Sequence, residues 1–224
     1  GTPPQAWQGD PAIVAGRDPR AGGTWLGVNQ HGVLVAMTNR PKVSPRSPAR
    51  SRGLLCRDLL NCHTARAAHE RAIEELDHHS YAGCNVLTID SAGAYVIQAG
   101  GLLRSCPMPP GIHVVTARDL NDTSDARIAH AFDRLACLDG TTLDDWMEQL
   151  THLCSDHGSL ALAPICLHAA DRGTVSSTVI ALADNSMDAR WLHAQGPPCR
   201  NPFADHSHLL TGLLSVPSSG GLNS

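Results

Sequence analysis

The stretch GGTWLGVNQHGVLVAMTNRP, residues 22–41, constrains this chain more than any other. Two apolar runs flank Asn29-Gln30-His31-Gly32. Such a polar turn ending in glycine closes a hairpin, because glycine reaches positive φ without a Cβ clash. Strands are expected near 24–28 and 33–38. The second run stops abruptly at Thr38-Asn39-Arg40-Pro41. A side-chain amide at a strand end, just before a proline-bearing loop, can aim a rigid donor into a cleft, as an oxyanion hole requires. An asparagine there can equally bond its own turn, and the residues alone leave both readings open.

The rest of the chain alternates between two periodicities. Residues 1–12 are rich in proline and glycine and are expected to be irregular. Residues 40–51 hold three prolines and several arginines and read as a loop. Ser51 can cap a short helix carrying Leu54, Leu55, Leu59 and Leu60, and Thr64 a second over 64–78. Cys84–Ile89 and Ala94–Ile97 read as paired strands about Ser91-Ala92-Gly93, and Ile112–Thr116 as another strand. Helices are expected at 125–137 and 143–157; in the latter Leu143, Trp146, Met147, Leu150, Leu153 and Cys154 recur at helical spacing behind a Thr142 cap. Strands return at 164–168, 175–183 and 190–193, and the tail from 197 reads as loose. Strands, helices, strands, helices, strands describe a layered α+β protein, with one domain over 13–196 between an N-terminal segment (1–12) and a flexible tail (197–224).

Bulk chemistry excludes several functions. With 42% hydrophobic and 17% charged residues, the chain can bury a core. A net charge of −4 gives no pull toward nucleic acid or anionic membrane, and aromatics at 4% are too few for base-stacking platforms. Polar residues interrupt every apolar run before membrane-spanning length, and no signal peptide is visible. Eight cysteines without a Cys-x-x-Cys pair read as reduced, buried thiols of a cytoplasmic protein. Lys42 is the one lysine, so the other basic residues are arginine.

Motifs for metal or nucleophile are not evident. Thirteen histidines include no His-Glu-x-x-His and no Cys/His set at zinc spacing, so surface or capping histidines, no metal and no cofactor are expected. The arginine-rich stretch 40–57 reads as a solvated loop, from which Arg40 and Arg52 could meet an anionic group. Gly22-Gly23 precedes a strand rather than a helix and is no phosphate cradle. Ser176-Ser177-Thr178 lies in a strand, without a nucleophile elbow.

Taken together, AGRDPRAGGTWLGVNQHGVLVAMTNRP (15–41), SRGLLCRDLL (51–60), YAGCNVLTID (81–90), GIHVVTARDLND (111–122) and RGTVSSTVIALAD (172–184) resemble the NRDE, or transport and Golgi organisation 2, family. The resemblance spans about residues 11–195, and its specific part is Gly-Gly-Thr-Trp-Leu-Gly followed by Thr-Asn. It implies a fold like that of N-terminal-nucleophile (Ntn) hydrolases, a four-layer αββα sandwich of mostly antiparallel sheets, here expected to lack the first strand. It also implies a cysteine-nucleophile amidohydrolase acting on a small amide. Asn39 would then be the oxyanion donor, with Trp25, Thr38 and Asn85 lining the substrate site, which Arg40 and Arg52 of the arginine-rich stretch would join. The family's Met-Cys strand and Asn-Arg-Asp-Glu turn are absent, the chain starts at Gly1, and Ala117 and Val175 stand where relatives carry asparagine and arginine. As written, the chain is therefore expected to be a catalytically incomplete fragment. Cleavage at Gly83-Cys84 could expose a cysteine, although Cys84 reads better as core. The alternative is a non-catalytic binding or trafficking protein for haem or an acyl-CoA-like ligand.

Overall fold

In the computed structural model, residues 1–41, 49–159 and 163–215 are described. They form two compact units: Gly1–Pro109 with Leu182–Ala189 and the segment from His208, and Pro110–Ala181 with Arg190–Ser207.

The first unit is built on a seven-stranded sheet in which each strand lies beside the next along the chain. Its strands are β1 (Gln5–Trp7), β2 (Ile13–Ala15), β3 (Leu26–Asn29), β4 (Leu34–Asn39), β5 (Cys84–Asp90), β6 (Gly93–Ala99) and β7 (Leu103–Met108), all paired antiparallel. The hairpin expected from residues 22–41 is β3–β4. Gly32 has φ +76°, and the Asn29 side chain accepts from the backbone N–H groups of His31 and Val33, both at 3.0 Å. Sequence reading missed β1, which lies within the segment expected to be irregular. It also missed β2 and β7. β1 and β2 are three residues each, too short to show a period. β7 contains Pro107, which only an edge strand tolerates, and β7 is an edge.

Two helices cover one face of this sheet. In α1 (Arg52–Leu59) the Ser51 hydroxyl accepts from Leu54 N, and in α2 (Ala65–His78) the Thr64 hydroxyl accepts from Ala67 N. Both caps are those read from the sequence. Leu55, Leu59, Leu60, Ala68 and Ala72 meet Val35, Met37, Cys84, Val86 and Ile97 in one buried cluster. By strand alternation, Leu34, Ala36, Thr38, Asn85, Leu87 and Ile89 belong to the other face. Of the loop expected at 40–51, residues 42–48 lie outside the described residues.

The second unit holds α3 (Ala126–Ala136), α4 (Leu143–Cys154) and a three-stranded antiparallel sheet of β8 (Ser177–Ala181), β9 (Arg190–Ala194) and β10 (Ala204–Asp205). Asp125 caps α3, and α4 opens with a capping box of Thr142 and Asp145. The strand expected at 112–116 does not form. The one expected at 164–168 is reduced to a bridge of His168 with Gly173, because this arm pairs with itself. Residues expected to be loose fold into α5 (Ser207–Leu214), with Leu210 and Leu213 buried.

Surface or capping roles do not describe every histidine: His69, His130 and His193 are buried. His69 Nε2 shares a 2.7 Å hydrogen bond with Ser105 Oγ, and its ring lies against Tyr95. Burial lowers its pKa below 6.5; Glu70 opposes this and Arg66 adds to it. The unfolded chain thus takes up this proton at higher pH than the folded one. His69 stabilises the fold above about pH 6.5, and that contribution is lost as pH falls through its lower folded pKa. We expect Tm to drop between about pH 7 and about pH 5, and to drop less in His69→Gln, measured by thermal scans across that window. Equal slopes in both proteins would contradict this assignment.

Candidate functional site

Strand register aligns four polar side chains across the sheet face opposite α1 and α2. Thr38 stands opposite Asn85, Asn85 opposite Gln98, and Gln98 opposite Arg104. Apolar residues fill the next row: Ala36, Leu87, Val96 and Cys106. A polar rung at the end of an apolar face needs partners wherever it is buried. Asn85 is fully buried and has them: Nδ2 donates to Thr38 Oγ1 at 3.1 Å, and Oδ1 accepts from Arg40 Nη1 at 3.1 Å. Gln98 is 9% exposed, and its Nε2 makes no hydrogen bond among the described residues.

The rim of the same sheet end is cross-linked. Gly83 O accepts both the Arg40 backbone N–H at 3.0 Å and Arg52 Nη1 at 2.8 Å. The Arg52 guanidinium also lies over the Trp25 ring, 5.1 Å from its centre. A continuous set of contacts thus joins Trp25, Arg52, Gly83, Arg40, Asn85 and Thr38. Five of the six residues singled out from the sequence belong to it. The sixth, Asn39, is one register step beyond the rung, opposite Cys84; that single step assigns it to the face under α1 and α2, and it is exposed at the strand end. Gln98 and Arg104 were missed. The available signal was Gln98 itself, a lone amide inside the apolar strand AYVIQA.

Cys84 is fully buried inside β5 and joins the core under α1 and α2. Burial there, and the two bonds fixing Gly83 O, favour the core reading over cleavage at Gly83-Cys84. Ala117 lies in a loop, and Val175 is 76% exposed ahead of β8.

A cavity of about 590 Å³ opens at the opposite end of β4 and β5, lined in part by Gln30, His31, Asp90, Ser91, Leu182 and Leu214. Of its two carboxylates, Asp90 and Asp184, the first is already engaged. Asp90 accepts from Ala65 N, capping α2, and from Ala92 N and Gly93 N in its own turn. The rung, with its guanidinium groups and unmatched amide donor, is the better-equipped site.

Comparison with known proteins fits this architecture. The model of the family described as Transport and Golgi organisation 2 matches residues 2–192. The chain belongs to that family. Among curated proteins, none matches this transport and Golgi organisation 2 chain significantly by sequence. Two solved structures share its fold. Penicillin V acylase from Agrobacterium tumefaciens is 14% identical, with a TM-score of 0.51 over 84% of this chain and 68% of that one. A mutant conjugated bile acid hydrolase from Clostridium perfringens is 11% identical, with a TM-score of 0.51 over 88% of this chain and 78% of that one. The α+β, Ntn-hydrolase-like fold implied by the sequence is therefore present in this family member. No helix among the described residues is long and apolar enough to cross a membrane.

Proposed function

We propose that this transport and Golgi organisation 2 protein is a small-molecule amide hydrolase in which the rung binds substrate and Asn39 is the oxyanion donor. The observation that carries the reading is the rung itself: a buried Gln98 Nε2 that makes no hydrogen bond among the described residues, opposite Asn85, which holds the Arg40 guanidinium. An unmatched buried N–H is satisfied by an acceptor on a bound molecule. The names of the two structural neighbours, an acylase and a hydrolase, support amide chemistry.

In this reading the residues divide their work. Arg40 meets an anionic or carbonyl group of the substrate, and Asn85 positions Arg40. Trp25, with Arg52 stacked on it, is an apolar wall. Asn39, exposed at the strand end, offers its amide to the oxyanion that forms when the acyl carbon becomes tetrahedral. The nucleophile and its base are assigned to no residue here.

Steady-state kinetics on an amide substrate test this division. Asn39→Ala is expected to lower kcat by about 10²-fold with little change in KM or Tm. Arg40→Ala is expected to raise KM with kcat nearly unchanged. Unchanged kcat in Asn39→Ala would remove it from the oxyanion site. The second reading, a carrier of haem or an acyl-CoA-like ligand, draws on the same guanidinium groups. It predicts saturable binding, weakened by Arg40→Ala, with no turnover.

A further inference from the structure

Three loops of the second unit converge on four side chains. His157 follows α4, Cys166 and His168 sit on the arm after it, and Cys199 lies in the turn between β9 and β10. One ligand atom from each falls within 4.8 Å of all the others. Cys166 Sγ is 3.6 Å from Cys199 Sγ and 3.6 Å from His168 Nε2, and His168 Nε2 is 3.1 Å from Cys199 Sγ. The His157 and His168 rings are 5.2 Å apart, centre to centre.

These distances are close to the edges of a tetrahedron. Zinc bonds of about 2.3 Å to sulfur and about 2.0–2.1 Å to nitrogen imply edges of about 3.8 Å between sulfurs and about 3.6 Å from sulfur to nitrogen. We propose that His157, Cys166, His168 and Cys199 bind one zinc-class divalent ion in a closed tetrahedral site. Two thiolates and two imidazoles suit zinc rather than magnesium or calcium, which take oxygen ligands. On binding, the two thiols release their protons to solvent and each imidazole gives one nitrogen lone pair, so the bound unit has no net charge. Four protein ligands leave no open position, which makes the role structural rather than catalytic.

The surrounding backbone is organised to hold the ligands. Asp156 O accepts from Ile165 N at 3.0 Å and from Cys166 N at 2.8 Å, which brings Cys166 back beside His157. The Asp156 carboxylate is anchored to α3 by His130 Nε2 and Arg134 Nε, both at 3.2 Å. Leu167 and Thr174 exchange two hydrogen bonds that close the arm carrying His168. Pro197 O accepts from Arg200 N and Asn201 N, which shapes the turn presenting Cys199. The sequence scan missed this set because it sought closely spaced ligand pairs. Here the one short spacing is Cys166-x-His168, and the other ligands come from separate loops.

Metal analysis of the full chain, reduced and purified without chelator, tests the site. We expect about one zinc per chain. Cobalt titrated into the metal-free protein should give the intense visible bands of a tetrahedral thiolate site, and zinc should abolish them. Cys199→Ser and His157→Gln should each weaken cobalt binding by about 10²-fold or more, beyond what a supporting residue costs. Cys137→Ser, at an exposed cysteine outside the group, should leave it unchanged. His157 is exposed, so His157→Gln gives the readout even if Cys199→Ser fails to fold. Reduced, folded protein that takes up no zinc or cobalt would overturn the proposal. So would cobalt binding indifferent to both substitutions, or a native mass lighter by two hydrogens from a Cys166–Cys199 disulfide.

Discussion

Asn29→Ala is expected to lower the free energy of unfolding by about 4 kcal/mol, read from denaturant curves. Asn29 ends β3, is fully buried and uses its whole amide. Its Oδ1 accepts from His31 N and Val33 N, which closes the hairpin turn. Its Nδ2 donates to Leu60 O at 2.8 Å and to Cys62 O at 2.7 Å, which ties that turn to the end of α1. Alanine would leave two carbonyls and two N–H groups unmatched where water has little access. Each such group costs on the order of 1–3 kcal/mol, partly relieved by relaxation. A loss below about 1 kcal/mol would mean that water replaces the amide, and that the hairpin is not anchored to α1 in this way.

Gly23→Ala should cost about 3 kcal/mol, for a different reason. A Cβ on Gly23 would sit 2.2 Å from both the carbonyl carbon and oxygen of Gly53, and 2.6 Å from Leu54 N. All three are backbone atoms in the first turn of α1, so no side chain can rotate aside. The contact is fixed further by Thr24 N, which donates to Gly53 O at 2.9 Å. Relief requires α1 to separate from the strand it packs on. Gly101→Ala is the control, because a Cβ there meets nothing within 4 Å. Equal stability of the two variants would contradict the close approach.

These two residues show how far the sequence could be read. Gly-Gly-Thr-Trp-Leu-Gly reads as the entry to a hairpin, and Asn29 as its turn residue. That Gly23 touches Gly53, and that Asn29 reaches Leu60 and Cys62, are long-range facts without a local signal. Helices with strong caps, such as α1, α2 and α4, were legible because Ser51, Thr64 and Thr142 mark their starts. β1, β2 and β10 were not, being too short to show a period, and α5 was hidden in a stretch read as a loose tail. Of the rim residues, Trp25, Thr38 and Asn85 were legible through the family resemblance, and Arg40 and Arg52 through the arginine-rich stretch. Gln98 and Arg104 join them only once the register of β5, β6 and β7 is known. The Cys and His group was hidden for the same reason, since folding rather than spacing assembles it.

The most direct test of the central claim is amine release from a panel of small N-acyl amides by protein expressed from its native gene. Saturable hydrolysis of at least one amide is expected, with kcat reduced about 10²-fold in Asn39→Ala. Failure to hydrolyse any amide, together with saturable binding of haem or an acyl-CoA that Arg40→Ala weakens, would contradict it and leave the rung as a carrier site.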